Sequence, residues 1–76
     1  MKEFVIETLR WFVEHPDDLR VSSLDGERTV LMEVRCHPDD IGKVIGKSGK
    51  VIQSLRILAS ALAAKDNRRA VLEVVE

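Results

Sequence analysis

Gly46-Lys47-Ser48-Gly49 interrupts an otherwise helix-forming stretch, and this feature leaves the fewest folds open. On its N-terminal side, Pro38-Asp39-Asp40 reads as the first turn of a helix. Proline needs no N–H there, and the two carboxylates meet the positive end of the helix dipole. That helix should run to about Ile45. On the C-terminal side, residues 50–64 are rich in Leu, Ile and Ala and resume as a longer helix, with Ser48 as a candidate N-cap.

The rest of the chain supplies another helix and a sheet. Val5, Leu9, Phe12 and Val13 share one helical face, so residues 2–14 are expected to form a helix that stops before Pro16. Residues 19–24 and 28–36 read as two antiparallel strands joined at Asp25-Gly26, the second setting Val30, Met32 and Val34 against Glu33 and Arg35. Asp66-Asn67 ends the long helix, and the β-branched run 69–75 reads as a third strand. The helical segment between strands two and three has the length of a right-handed crossover between parallel neighbours. The expected fold class is α+β: a two-layer sandwich of order α-β-β-α-α-β with a three-stranded mixed sheet, its helices on one face and solvent on the other.

Composition limits what such a fold can do. At 76 residues, 45% hydrophobic and 33% charged, residues 1–76 are expected to form one folded domain with a thin core. A multi-step catalytic cavity would consume much of that core, so a binding module is expected rather than an enzyme. The one cysteine, Cys36, has no intramolecular partner, no signal peptide is apparent, and no apolar run is long enough to span a membrane. A cytoplasmic setting follows as the expectation. The net charge of −1 conceals an asymmetry, because Lys43, Lys47, Lys50, Arg56 and Lys65 lie in a stretch from Ile41 to Lys65 without a single acid. The remaining chain is acidic overall.

The glycines of the interrupting tetrapeptide permit a tight turn and a close backbone approach, and the opening N–H groups of the following helix have no partner in its own ladder. With Lys43, Lys47 and Lys50 around the same point, the site suits a phosphate. A P-loop needs four residues between its glycines after a strand, whereas Gly42 and Gly46 enclose three and follow a helix. A helix-GXXG-helix turn, the backbone clamp of the K-homology (KH) fold, fits instead.

Three stretches, His15-Pro16-Asp17-Asp18, Gly26-Glu27-Arg28-Thr29 and Asp39 through Lys50, resemble the small bacterial RNA-binding proteins of the KhpA type, in the type II KH family. The resemblance extends over essentially the whole chain. It implies that Gly46, Lys47, Ser48 and Gly49 are the GXXG loop, flanked by apolar Ile45, Ile52 and Leu55. It further implies single-stranded RNA binding, an RNA-chaperone role and pairing with a larger KhpB/Jag-like protein, tied in some bacteria to cell shape, cell wall organisation and envelope homeostasis. Together the residue reading and the resemblance nominate Gly46, Lys47, Ser48, Gly49, Lys43, Lys50, Ile45 and Ile52 as RNA-binding residues.

Other conspicuous residues have plainer readings. Trp11 and Phe4 sit in the first helix, far in sequence from the loop, so packing or an interface suits them better than base stacking. The scarcity of aromatics disfavours an RNA-recognition motif. Arg56 and Lys65 read as solvated charges, and Cys36 as a strand-end residue. His15 and His37 each precede a proline at an element boundary, without metal-ligand spacing, so neither a metal nor another cofactor is expected. The long helix has an apolar arc of about 200°, against roughly 100° for a core-facing stripe. Either the first helix covers the excess, or Val51, Leu58 and Ala61 form the interface of a homodimer or heterodimer. The alternative to an RNA-binding module is therefore a dimerisation module with little RNA binding of its own.

Overall fold

The computed structural model describes residues Met1–Glu76. Helix α1 (Lys2–Arg10) places Val5 and Leu9 one turn apart on its inner face, both fully buried. It ends earlier than its apolar spacing predicts. Trp11 and Phe12 donate to the carbonyls of Thr8 and Leu9, three residues back, and tighten the last turn. The N–H groups of Glu14 and His15 leave the helix and donate to the Asp40 carboxylate at 3.0 and 2.9 Å. A distant acceptor thus competes with the helical carbonyls.

After a single 3-10 turn at Pro16–Asp18, β1 (Arg20–Asp25) and β2 (Thr29–Arg35) pair antiparallel, from Arg20 opposite Arg35 to Asp25 opposite Val30. The crossover then runs through a 3-10 turn at Pro38–Asp40, α2 (Ile41–Ile45), the Gly46–Gly49 turn and α3 (Lys50–Ala64). Strand β3 (Arg69–Val74) returns parallel to β2, with Thr29 opposite Arg69 and Val34 opposite Val74. The strand order is β1-β2-β3, a mixed sheet with β3 at one edge. This is the two-layer α+β arrangement that the sequence predicts.

Helix α3 stops for a local reason. Asn67 adopts a left-handed conformation (φ 56°), while Arg68 and Asn67 donate to the carbonyls of Ala63 and Ala64 at 2.9 and 3.0 Å. That pair of bonds ties off the helix end and aims the chain back along the sheet.

The core lies between the sheet and all three helices. Alternation along β2 points Val30, Met32 and Val34 inward, where they meet Val21 and Leu72 from the neighbouring strands. Val5 and Leu9 from α1, Val44 from α2, and Ile52, Leu55 and Ala59 from α3 close over them. Phe4 packs against this cluster, as expected, whereas Trp11 is 89% exposed. No helix is long and apolar enough to cross a membrane.

Candidate nucleic-acid interface

The turn between α2 and α3 owes its shape to two glycines in conformations that other residues resist. Gly46 (φ 82°, ψ 170°) drives the chain out of α2 after its N–H has closed the last helical bond to Gly42 at 2.8 Å. A Cβ at Gly46 would overlap the Val51 side chain and stand 2.8 Å from the Val51 backbone nitrogen. A Cβ at Gly49 (φ 74°) would meet only the Gln53 side-chain amide, at an ordinary contact distance of 3.9 Å, so only its left-handed backbone calls for glycine.

Ser48 departs from its expected role. It takes a left-handed conformation (φ 56°, ψ 27°), and Gly49 occupies the N-cap of α3 without any side-chain capping bond. The opening amides of a fifteen-residue helix are therefore left uncapped by a side chain, at its positive end. Lys47, Ser48 and Lys50 are exposed beside them. Neither Lys47 nor Lys50 pairs with a carboxylate. Lys43 does, lying 3.5 Å from Glu14, which the sequence pattern does not reveal.

The flanking apolar residues divide. Ile45 is half-buried against the core, whereas Ile52 is only 5% exposed and belongs to the core itself. Ile52 thus has little surface to offer a ligand.

Two shallow grooves flank α3. One, of about 350 Å³, lies between α3 and the free edge of β3, lined by Arg56, Ser60, Arg69, Ala70, Leu72 and Glu73 among others. Arg56 is exposed, as expected, yet not free, because its Nε donates to the Leu72 carbonyl at 3.0 Å and caps part of that edge. The other groove, of about 270 Å³, runs between α1 and α3 and is walled by Phe12, Val51, Leu55 and Leu58, with Lys50 at its rim. Helix α1 therefore covers the excess arc of α3 only in part. Leu58 remains 49% exposed, Ala61 is exposed and Val51 is half-buried.

Cys36 and Asp40 sit beneath the start of α2. Burial, reinforced by the charge of Asp40, raises the Cys36 thiol pKa, which makes it a poor nucleophile. Burial opposes ionisation of Asp40, but the N–H groups of Glu14 and His15, with the nearby His15 imidazole and the positive charge of Lys43, hold its carboxyl below the usual range. Asp40 is the one fully buried charged residue, and its acceptors are satisfied. Its role is to fasten the α1–β1 connection to α2.

Comparison with known proteins agrees with this arrangement. The family model for the KH domain of KhpA and KhpB matches residues 2–74. An RNA-binding protein KhpA of Halalkalibacterium halodurans is 42% identical over 76 residues, covering the whole of both chains. One from Aquifex aeolicus is 40% identical over all of this chain and 96% of its own. A third, from Leifsonia xyli, is 44% identical over 68 residues, 90% of this chain and 87% of its own. No solved structure matches the chain. A full-length match of that kind, on a chain whose helices meet at a Gly-Lys-Ser-Gly turn in an α-β-β-α-α-β sandwich, places the protein in the KhpA/KhpB family of KH domains.

Proposed function

We propose that the protein is a non-enzymatic module that binds single-stranded RNA by clamping its backbone at the turn Gly46–Gly49. The observation that carries this reading is the uncapped, positively polarised start of α3 beside two unpaired lysines, Lys47 and Lys50. Backbone amides there donate to phosphate oxygens, Gly46 and Gly49 allow the strand to approach, and the lysines add charge. Bases lie in the groove between α3 and β3, where the part of the β3 edge that Arg56 does not cap offers N–H and C=O groups to base edges, with Arg69 beside it. Ala70, Val71 and Leu72 form its apolar side, while Ile45 and Ile52 flank the turn itself. Lys43, held by Glu14, contributes less.

The match to KhpA and KhpB supports a wider reading, in which the protein acts in the cytoplasm as an RNA chaperone with a KhpB/Jag-like partner and contributes to cell shape and envelope homeostasis. The names of its relatives support RNA as the ligand. The test is the double substitution Lys47→Asp with Ser48→Asp. It is expected to abolish binding to a single-stranded RNA oligonucleotide while circular dichroism stays native. Unchanged binding would refute the loop assignment.

A second reading is favoured by the apolar groove between α1 and α3 and by the exposed Leu58 and Trp11. In it the domain serves mainly as a dimerisation or partner-binding module through Val51, Leu58 and Ala61. Sedimentation with and without RNA separates the two, because a pure adaptor assembles yet shows no RNA-dependent shift.

A further inference from the structure

His15 and His37 are 22 positions apart in the chain, yet their rings stack with centroids 4.0 Å apart and planes inclined by 22°. Asp39 stands next to them, its Oδ2 3.7 Å from His37 Nδ1. One ligand atom from each of His15, His37 and Asp39 lies within 4.8 Å of the other two. Both histidines are half-buried and Asp39 is exposed, so the group opens to solvent. None of the three belongs to the RNA clamp.

We propose that His15, His37 and Asp39 form a binding site for a divalent transition metal of borderline softness, Zn²⁺ being the best fit. Two imidazoles and a carboxylate are a donor set for zinc rather than for magnesium or calcium, which take oxygen ligands. Three protein ligands leave the remaining position to water, which describes an exchangeable site rather than a closed structural one.

The backbone that carries the donors is already fixed. Asp40 binds both histidine-bearing segments at once: its carboxylate accepts the His15 N–H at 2.9 Å, and its own N–H donates to the His37 carbonyl at 2.8 Å. A second anchor from Glu14 to the same carboxylate prevents the α1–β1 connection from pivoting. The side chains alone must adjust. Ligand atoms around a tetrahedral zinc stand about 3.3 Å apart, given bonds of roughly 2.0–2.1 Å. The donors must therefore close by somewhat more than an ångström, and one ring must turn out of the stack so that its in-plane lone pair reaches the metal. Half-buried rings at a surface can make that rotation. His37 Nδ1 accepts the Asp39 N–H at 3.0 Å, a bond given up if the metal takes that nitrogen. Sequence spacing hides the site because its ligands come from two connections that meet only in the folded chain. A bound ion would cross-link the end of the α1 segment to the start of α2, the helix that leads into the Gly46 turn.

The test uses the untagged full chain, stripped with EDTA and dialysed, titrated with ZnCl₂ by calorimetry and with CoCl₂ by visible absorption. The expected result is saturable 1:1 binding, a tetrahedral Co²⁺ spectrum without thiolate charge transfer, and a higher melting temperature with Zn²⁺. His15→Ala and His37→Ala should each weaken binding by about tenfold or more. Cys36→Ser should leave it unchanged. If either histidine variant unfolds by circular dichroism, Asp39→Asn, at an exposed position, decides by the same measure. Absence of saturable 1:1 binding, or undiminished binding in the folded variants, would overturn the proposal.

Discussion

Gly46 and Val51 are packed so closely that no side chain fits between them: a Cβ on Gly46 would overlap Val51 and lie 2.8 Å from its nitrogen. The contact closes the turn between α2 and α3, and the positive φ of Gly46 adds a backbone penalty for any other residue. Gly46→Ala is therefore expected to destabilise the domain by about 2 kcal/mol or more. Gly42, inside α2, has nothing within 4 Å of the position its Cβ would take. Gly42→Ala should stabilise by about 0.5–1 kcal/mol through helix propensity and reduced freedom of the unfolded chain. Urea unfolding of both variants checks the pair, and equal effects would contradict the packing described for the turn.

Lys43 and Lys47 flank the same turn, but only Lys43 is tied to a carboxylate, Glu14, at 3.5 Å. Lys47→Ala should therefore weaken RNA binding more than Lys43→Ala. Glu14→Gln, by releasing Lys43, should strengthen binding slightly at low salt. A clamp of about three phosphates implies a slope of about −2 for log K against log salt on single-stranded RNA. Fluorescence anisotropy across a salt series measures all of these, and a slope near zero would exclude an electrostatic clamp.

Most of the fold was legible in local pattern. The alternation of Val30, Met32 and Val34 and the two glycines around Lys47-Ser48 each act on their own few residues, so period and turn chemistry report them directly. The β1–β2 hairpin was legible too, but its bend falls at Glu27-Arg28, closed by Gly26 N–H donating to the Thr29 carbonyl at 2.8 Å, and Gly26 does not take the positive φ expected of the Asp25-Gly26 pair. What escaped was made by groups distant in sequence. The early end of α1 depends on Asp40, the restraint on Lys43 on Glu14, and the anchoring of Arg56 on the Leu72 carbonyl. Ser48 failed as a cap for another reason. Gly46 leaves α2 in a positive-φ conformation open to glycine, and the turn back into α3 then needs a left-handed residue at Ser48, where a capping serine would need an extended one.

Asp40 makes the fold sensitive to acid. Its folded pKa lies below its ordinary value, so the stability it contributes is fully present above the unfolded carboxylate range and is lost as pH falls through the folded pKa. Protonation leaves a neutral carboxyl among donors arranged for an anion, at Glu14 and His15. In metal-free buffer, Asp40→Asn should melt at a lower temperature than the native chain at neutral pH. The gap should narrow as the pH is brought below the usual carboxylate range. A gap that stays constant with pH would mean that the carboxylate's charge contributes nothing.

Leu55 and Leu58 lie one turn apart on α3, yet Leu55 is 1% exposed and Leu58 49%. The difference marks where the core ends and the surface groove beside Phe12 begins. Leu55→Asp buries an unpaired carboxylate, at a cost of several kcal/mol, and should unfold so small a domain. Leu58→Asp should fold, with a stability change within about 1 kcal/mol, because its side chain keeps access to water. If Val51, Leu58 and Ala61 form a homodimer interface, Leu58→Asp sediments as a monomer at concentrations where the native chain is a dimer. RNA affinity should then fall on long strands more than on short ones, since two linked clamps gain through effective concentration only where one strand reaches both. Native and variant chains that sediment alike would remove the homodimer and leave the groove for a different protein. A folded, monomeric variant with an unchanged preference for long strands would show instead that the clamps act singly.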